Sequence, residues 1–482
     1  MSNLLASMSL AGNALDAFQQ AMSTTQNNVT NSSTEGYAKQ TVNLTAQPFD
    51  ITAGLTGGVA AQTPIDSRDQ YAEESVQQAT QALGLYTAQA NATSTLQSYF
   101  DVTGTSGVSA ALTTLFQSFS AWSESPNDST VKQTVLDDAG MAAQAINSLA
   151  SSLTQEAGAM DTQIGDTVNQ INSIETQIQQ YNAAKLSENG TSDAGTDAQL
   201  YSALDSLSKL VDFSTVTQSD GTVSVVLSGG TPLVMGTTTY PLSSSESSGS
   251  PTATYPNALP TAQVLDSSGT DITSEISSGT LGGQLDVRNR VLGSIMGNSQ
   301  EQGSLNLLAQ TLADTVNYTL ETGTVSTAAG AASGTPLFTY DATNTANVAA
   351  SIAVNPNITE DELAPVDSYG NANGNAQALA AMENATGNST GTIGGVSMIQ
   401  YFAGIASAVG TENTTASDNE TTQTQVVSTA TSLRDTVSGV SLDQEAANLQ
   451  SYQEVYEAAS KVLTTLDTMT EMLIDMMPPA AS

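Results

Sequence analysis

The chain has 482 residues, which predicts several domains rather than one, and its 47 acidic against nine basic residues give a formal net charge of −38. Because so acidic a surface repels both a phosphate backbone and an anionic membrane, we expect neither nucleic acid nor a membrane as a partner. Charged residues nonetheless make up only 12% of the chain, about half the usual share. The surface is therefore expected to consist mainly of Ser, Thr, Asn and Gln, a composition that suits an extracellular protein.

The chain contains no cysteine and no histidine. This excludes disulfide bonds, thiolate and imidazole metal ligands, histidine-based nucleophilic catalysis and histidine pH switches. Tight acidic groups occur at 73–74, 137–138 and 360–362, but their polar surroundings indicate solvated or helix-start charges rather than a glycosidase pair. The sequence has neither an EF-hand loop nor a phosphate-binding glycine loop. We therefore expect no enzyme activity, no catalytic residue, no cofactor and no metal.

The N-terminal segment does not have the pattern of a secretory signal. Its first dozen residues contain neither Lys nor Arg and no apolar core, so we expect no cleavable signal peptide. The sequence also lacks a run of about 18 apolar residues that spans a bilayer. If the protein leaves the cell, it is expected to use an export route that needs neither feature.

Apolar residues at both ends of the chain advance alternately by three and four positions, the pattern of a coiled-coil helix. One pattern covers residues 1–30 and the other the last forty residues, with Thr25, Glu445 and Thr470 as the polar exceptions. Because such a helix needs a partner to shield its apolar seam, we expect the two ends to pair, with everything between them an insertion. The two seams consist of Leu4, Met8, Ala11, Leu15, Phe18, Met22, Thr25 and Val29, and of Leu442, Glu445, Leu449, Tyr452, Tyr456, Ala459, Leu463, Leu466, Thr470, Leu473 and Met477.

Between these ends, the sequence predicts a helical part that carries a β-rich insertion. Residues 39–64 have the pattern of short extended pieces, and residues 67–186 that of long helices. Residues 198–280 contain short strand patterns with a hairpin signal at the glycine pair 229–230. A low-complexity surface loop is expected at 243–260.

The second half of the chain is predicted to return to helix. One long helix is expected from Gly282 to Leu320, and helices over 398–409 and 414–437 then lead into the C-terminal seam. This order predicts an α+β fold, mainly α, in which the N- and C-terminal parts together form long helical bundle and coiled-coil domains around an inserted, mostly β domain. The expected domains are 1–64 with 425–482, 65–197 with 281–424, and 198–280.

Residues 28–40, at the end of the first seam and just beyond it, are Asn-Val-Thr-Asn-Ser-Ser-Thr-Glu-Gly-Tyr-Ala-Lys-Gln. This segment resembles the N-terminal signature of the bacterial flagellar rod, hook and hook-associated proteins. In that family the signature runs Asn-Asn-Ile-Ala-Asn, then Thr-Pro-Gly-Tyr, then a polar-basic-Gln ending. Residues within 442–462 are similar to the family's C-terminal block, and 282–288 to the mid-chain block of its hook-associated members. The matching signature residues are Asn28, Asn31, Thr34, Gly36, Tyr37 and Gln40.

The resemblance implies a structural subunit of the flagellum that joins hook to filament, is required for filament assembly, and is exported to the cell exterior by the flagellar type III system. It implies as partners the hook protein, the second junction protein, further copies of the chain in a helical layer, and an export chaperone. The terminal seams are then expected to become ordered on assembly and to contact neighbouring copies. The predicted assembly contacts are Leu4, Met8, Leu15, Phe18, Met22, Leu449, Tyr452, Tyr456, Leu463, Leu466 and Leu473.

Three alternatives stay open at this stage. The seams could simply close an intramolecular coiled coil in a monomer. The chain could be another axial protein, namely the second junction protein, a flagellin or a hook subunit, although the mid-chain block argues against this. It could also be a secreted acidic adhesin or glycan-active protein that uses residues 198–280, in which case deleting those residues removes binding rather than leaving the junction role intact.

Overall fold

The computed structural model describes residues 2–50, 55–100, 106–187, 193–247 and 252–476. Helix accounts for 63% of the residues and strand for 10%, which confirms the expected α+β class with a mainly helical content. Within the described ranges, no helix is both long and apolar enough to cross a membrane.

The longest helix has 59 residues and forms the spine of the molecule. It begins after Asp128, whose Oδ1 accepts hydrogen bonds from the backbone N–H groups of Thr130 at 2.8 Å and Val131 at 3.3 Å, so this side chain satisfies first-turn donors as an N-cap. The helices are α1 (Ser2–Thr30), α2 (Gln70–Gln97), α3 (Gly107–Glu124), α4 (Ser129–Ser187), α5 (Ala194–Leu210), α6 (Gly279–Asp286), α7 (Leu292–Met296), α8 (Ser304–Glu321), α9 (Val348–Ser351), α10 (Gly374–Ala381), α11 (Met398–Ser438) and α12 (Leu442–Asp475).

The strands form small antiparallel sheets. They are β1 (Gln40–Thr41), β2 (Leu44–Ala46), β3 (Phe49–Asp50), β4 (Leu55–Thr56), β5 (Val59–Ala61), β6 (Ile65–Asp66), β7 (Phe213–Thr217), β8 (Val223–Leu227), β9 (Pro232–Met235), β10 (Thr238–Thr239), β11 (Ser243–Glu246), β12 (Ala262–Leu265), β13 (Phe338–Thr339), β14 (Ala353–Val354), β15 (Thr392–Ile393) and β16 (Val396–Ser397). Strands β7 to β10 form a four-stranded sheet in sequence order. The pairs β1–β6, β2–β5 and β3–β4 are successive rungs of one long hairpin, which we call the 40–66 hairpin.

One hydrophobic core lies inside the helical body. It is built from α3, the first half of α4, α8, α10 and the start of α11. Trp122 is fully buried there, and its Nε1 donates to the carbonyl oxygen of Pro126 at 3.3 Å. The other large, fully buried aromatic side chains of this core are Phe116, Phe119, Phe338 and Phe402.

A second core lies where the last part of α4 meets α5 and the four-stranded sheet. Two asparagines of α4 bind the backbone of the insertion. Asn172 accepts from the N–H of Leu242 at 2.8 Å and donates to its carbonyl oxygen at 2.9 Å, and Asn182 does the same at Val223, with both distances 2.8 Å. Such paired bonds replace a neighbouring strand, so they hold the insertion in register on the helix.

The second core is not confined to residues 198–280. It includes apolar side chains of α4 between Ile164 and Tyr181 on one side and of α6 on the other. A single helix therefore contributes to both cores and connects them rigidly. The division into three domains with the boundaries given above stays a prediction.

The predicted helix from Gly282 to Leu320 is wrong. The chain instead runs through α6, a π-helical turn at 287–291, and α7, and it becomes helical again only at Ser304. Gly297 and Gly303, at φ +91° and +84°, form the tight reversal between α7 and α8, and a Cβ on Gly303 would collide with the backbone nitrogen of Gly297. Residues 297–304, GNSQEQGS, contain no apolar side chain, so the break coincides with a gap in the apolar pattern that the prediction of one long helix passed over.

Two smaller predictions are also corrected. The helices expected over 398–409 and 414–437 are one continuous helix, α11, which packs along α2. The loop expected over 243–260 begins with β11, which pairs with β12. In both cases, long-range packing extends a regular element through residues of weak intrinsic preference.

A buried carboxyl group lies on α4 between Asn172 and Asn182, the two asparagines that bind the insertion. Glu175 is 1% exposed, and neither of its carboxylate oxygens has a hydrogen-bond partner. Burial raises the pKa of this group from 4.5 to about 8. Between these two values the unfolded chain loses a proton that the folded chain keeps. The folded state is therefore favoured by this group below about pH 4.5, and that stability falls as the pH rises to about 8.

We expect Glu175→Gln to remove the fall in folding stability that this carboxyl group causes as the pH rises. One pKa unit corresponds to about 1.4 kcal/mol, so the gain in free energy of unfolding relative to wild type should grow by on the order of 3–4 kcal/mol between about pH 5 and pH 8. Urea denaturation at both pH values measures it. Glu301→Gln, at an exposed position, is the matched control and should show no such growth. An equal effect of Glu175→Gln at both pH values would contradict the buried, protonated carboxyl.

Candidate assembly interface

The two terminal helices, α1 and α12, lie antiparallel against each other. The rings of Phe18 and Tyr452 are 6.2 Å apart near the middle of the pair. Towards the chain ends, the hydroxyl of Thr470 donates to Sδ of Met8 at 3.6 Å. We call α1, the 40–66 hairpin and α12 the terminal unit, and we call α2 to α11 with their strands the body.

Most of the seam residues predicted from the heptads are half-buried, while Ala11, Thr25 and Glu445 are buried and Val29 is exposed. The half-buried ones are Leu4, Met8, Leu15, Phe18, Met22, Leu449, Tyr452, Tyr456, Ala459, Leu463, Leu466 and Thr470. At the two ends of α12, Leu442 and Leu473 are 52% and 45% exposed, and Met477 lies outside the described residues. One pair of helices thus leaves much of the apolar seam in contact with water. The role of these residues in assembly stays a prediction.

The opposite face of α1 packs on the 40–66 hairpin. A Cβ on Gly58 would collide with the side chain of Leu10, so the glycine allows close approach of strand and helix. Nearby, Nε2 of Gln20 donates to the carbonyl oxygen of Gln62 at 3.4 Å. The terminal unit therefore has three layers, with α1 in the middle.

Asn28 connects the three layers at the end of the terminal unit that meets the body. Its Nδ2 donates to the carbonyl oxygen of Gln40 at 2.9 Å and to Oε2 of Glu445 at 3.1 Å. Its Oδ1 accepts from the backbone N–H of Gln40 and from the hydroxyl of Tyr37, both at 2.9 Å. With 1% exposure, this amide uses its full bonding capacity inside the protein. Three signature residues are thereby joined to Glu445, one of the two polar exceptions of the C-terminal seam.

Glu445 is itself buried and paired. Nζ of Lys39 lies 3.2 Å from its Oε1, and the backbone N–H of Lys39 donates to the carbonyl oxygen of Ser438 at 2.8 Å. Burial, together with the negative charges of Asp66 and Glu445, raises the pKa of Tyr37 to about 12, so its hydroxyl stays protonated and remains a donor.

The remaining signature residues shape the loop between α1 and the hairpin, residues 31–39, which we call the signature loop. Nδ2 of Asn31 donates to the carbonyl oxygen of Asn27 at 3.1 Å, and the hydroxyl of Thr34 donates to Oδ1 of Asn31 at 3.3 Å. Gly36 has φ +74°, and a Cβ there would collide with the carbonyl oxygen of Ala198. Only glycine allows the loop to touch α5 at this point.

Sequence reasoning missed the ion pairs beside this loop. Arg68 binds Glu73 at 2.7 Å, and Arg434 lies 3.5 Å from Glu73 and 3.2 Å from Asp205. The sequence contained one signal for these ion pairs, the small number of basic residues. Lys39, Arg68 and Arg434 are three of only nine in a chain with 47 acidic residues. Apart from Arg68 with Glu73, the contacts of these residues join distant parts of the chain, such as Arg434 with Glu73 and Asp205, so periodicity does not bring them together.

The loop is flanked by a cavity on each side. One, of about 640 Å³, separates residues 32–37 from residues 434–444, and the other, of about 650 Å³, separates residues 31–37 from the end of α4 and the start of α5. In the part of the chain that the structure describes, no cluster of acidic side chains is suited to hold a metal ion. The arrangement has the features of a mechanical connection between packed units rather than of a reaction centre.

Comparison with known proteins identifies the class. Residues 93–338, half of the chain, match the model of the flagellar hook-associated protein FlgK helical domain, and residues 434–476 match that of the flagellar basal body rod FlgEFG protein C-terminal region. These matches define a structural protein of the bacterial flagellum rather than an enzyme. The chain belongs to the flagellar hook-associated protein FlgK family, and it serves at the junction between hook and filament.

Full-length relatives agree with this assignment. The chain is 27% identical to flagellar hook-associated protein 1 of Bacillus subtilis, with 99% of each chain covered, and 24% identical to that of Salmonella typhimurium, with 97% and 99% covered. Among solved structures, the flagellar hook junction protein FlgK from Burkholderia pseudomallei is similar in fold, with a TM-score of 0.62 and 16% identity over 75% of this chain and 100% of that one.

We expect Asn28→Asp to destabilise the terminal unit. The new carboxylate keeps the acceptor for Gln40, loses both donated bonds and faces Glu445, so the free energy of unfolding should fall by roughly 2–4 kcal/mol at neutral pH. Urea denaturation and hydrogen exchange at the amide of Gln40 measure it. Asn27→Asp adds the same charge at an exposed neighbouring position and is the control. If the two variants lose equal stability, Asn28 is not the connecting group.

Proposed function

We propose that this chain joins hook to filament by inserting its terminal unit into the axial core of the flagellum, where copies of the chain form a helical layer. The observation that carries this proposal is the half-covered apolar surface of the paired terminal helices, which a neighbouring helix would complete. The body makes lateral contacts in this arrangement, and the insertion built on the four-stranded sheet faces outward. The match of residues 434–476 to a model shared by rod proteins supports the axial role of α12.

We further propose that the layer contacts the hook protein on one side and the second junction protein on the other. An export chaperone holds the chain before the flagellar type III system passes it to the cell exterior. The absence of cysteine supports this route, because no disulfide bond has to be opened for passage of an extended chain.

The residues that meet a neighbouring copy follow from the surface of α12. Val455, Val462, Met469 and Met476 are all exposed and repeat every seven residues, beside the seam that faces α1. A seven-residue repeat of apolar side chains selects a helix as its partner rather than a flat surface. We call these four residues the outer seam. The heptad seam of α12 that faces α1 closes the helix pair within one chain, whereas the outer seam receives a helix of the next copy.

We expect Val462→Glu and Met469→Glu, singly or together, to block assembly without unfolding the chain. Both side chains are exposed in the single chain, so helix content and thermal midpoint should stay close to those of the wild type. Swimming and filament length should fall at least tenfold, since a charge buried between helices is costly. Thr464→Glu and Thr468→Glu, on the exposed opposite face of α12, are the matched controls. Normal filaments with both outer-seam charges in place would refute this surface.

The junction role itself is tested by deleting the gene. Cells should then bear hooks without filaments and release filament monomer into the medium, because nothing anchors the first layer of filament. The full chain should restore attached filaments, whereas a chain without residues 1–40 and 441–482 should not. Attached filaments formed by the truncated chain would contradict the proposed use of the termini.

A further inference from the structure

The terminal unit and the body are connected by two short segments that lie side by side. Residues 67–69 connect β6 to α2, and residues 439–441 connect α11 to α12. Ser438 joins them, since its hydroxyl lies 3.3 Å from the backbone nitrogen of Asp69, which donates to it, and 3.4 Å from the carbonyl oxygen of Ser67. Two adjacent connections form a pivot, so other contacts have to fix the angle between terminal unit and body.

Packing of the signature loop does not fix this angle. The loop projects from the terminal unit onto α5, but the two cavities described above lie on either side of it. At Gly36 its backbone lies close to that of Ala198 and Ser202. A backbone contact flanked by two cavities gives little resistance to rotation about the pivot.

Arg68 lies on the first connecting segment and binds several parts of the chain at once. Its guanidinium donates to Asp66 at 3.3 Å, to Glu73 at 2.7 Å and to the carbonyl oxygen of Gly36 at 2.6 Å. Its central carbon lies 3.5 Å from the ring centroid of Tyr201. The hairpin, the start of α2, the signature loop and α5 therefore meet on one side chain.

The same cluster reaches the second connecting segment. Glu73, which is buried, also faces Arg434 near the end of α11, and Arg434 binds Asp205 of α5. Both arginines thus connect the region of the pivot to α5, the helix that leads into the insertion. A planar guanidinium with five donors can bond in several directions and stack on a ring, whereas a lysine ammonium cannot do all of these together.

We propose that Arg68 is the positioning residue that fixes the angle between the terminal unit and the body. It holds the signature loop through Gly36 on one side and α5 through Tyr201 on the other, with Glu73 neutralising and orienting it and Arg434 binding the other oxygen of Glu73. In the assembled flagellum, which is the part of this inference that rests on the proposed function, the residue would transmit load from the axial core to the outer insertion. The geometry of the single chain does not depend on that step.

The angle can be measured directly because the chain has no cysteine of its own. Ser460→Cys on α12 and Ser219→Cys in the turn between β7 and β8 are both exposed and accept nitroxide labels. Pulsed electron spin resonance on the purified full-length chain then reports the distance distribution between terminal unit and insertion. Wild type should give one narrow distribution.

We expect Arg68→Lys and the double variant Arg68→Met with Glu73→Gln to broaden this distribution at least twofold. The double variant leaves no unpaired buried carboxylate at position 73, so it separates loss of positioning from loss of stability. Arg290→Met removes an arginine whose ion pairs lie within the body, at Asp286 and Glu412, and should keep the distribution narrow. A distribution as narrow as wild type in the double variant would overturn the proposal, as would equal broadening in Arg290→Met.

Failure of this proposal and failure of the proposed function have different signatures. The spin-label distances concern the isolated chain, whereas hook and filament assembly is scored in cells. A narrow distribution in the double variant refutes the positioning role whatever its filaments do. Broadening supports that role even if the deletion strain keeps its filaments and the junction assignment falls.

Discussion

The hydrogen bond between Asn28 and Glu445 joins residues 417 positions apart, and the organisation of the chain depends on it. Both side chains are buried, so neither can leave the other without a large desolvation cost. Because Asn28 also bonds both backbone groups of Gln40, the same amide aligns α1, α12 and the 40–66 hairpin. A chain of this length can thereby place its two ends in one unit and leave the middle to form the body.

The parts of the architecture that repeat locally could be predicted from the sequence. The two heptad patterns identify α1 and α12 as helices, and the strand signals after Phe213 identify the sheet of the insertion. The signature also contains Asn28, Tyr37 and Gln40, which the structure brings into one hydrogen-bond network. Glu445 was visible as a polar exception in an apolar seam, but its partner could not be read from spacing because it lies at the other end of the chain.

The features that could not be predicted are those that depend on long-range contacts. Arg68 has no periodic neighbour that indicates a role, and its partners come from the hairpin, α2, the signature loop and α5. Glu175 is spaced like any residue on a helix, and only the insertion packed against α4 makes it a buried carboxyl group. In each case tertiary packing overrides a local signal.

The most direct test of the account is the register of the antiparallel terminal pair. Cysteines at Met8 and Thr470, whose side chains are in contact, should be joined within one chain by a one-carbon bis-methanethiosulfonate crosslinker, both in the free chain and in assembled flagella. Cysteines at Met8 and Leu463, about 10 Å away along the helix, should not. Crosslinking of the shifted pair as readily as the matched pair, or no crosslink at 8 and 470, would contradict the paired termini on which the proposed junction depends.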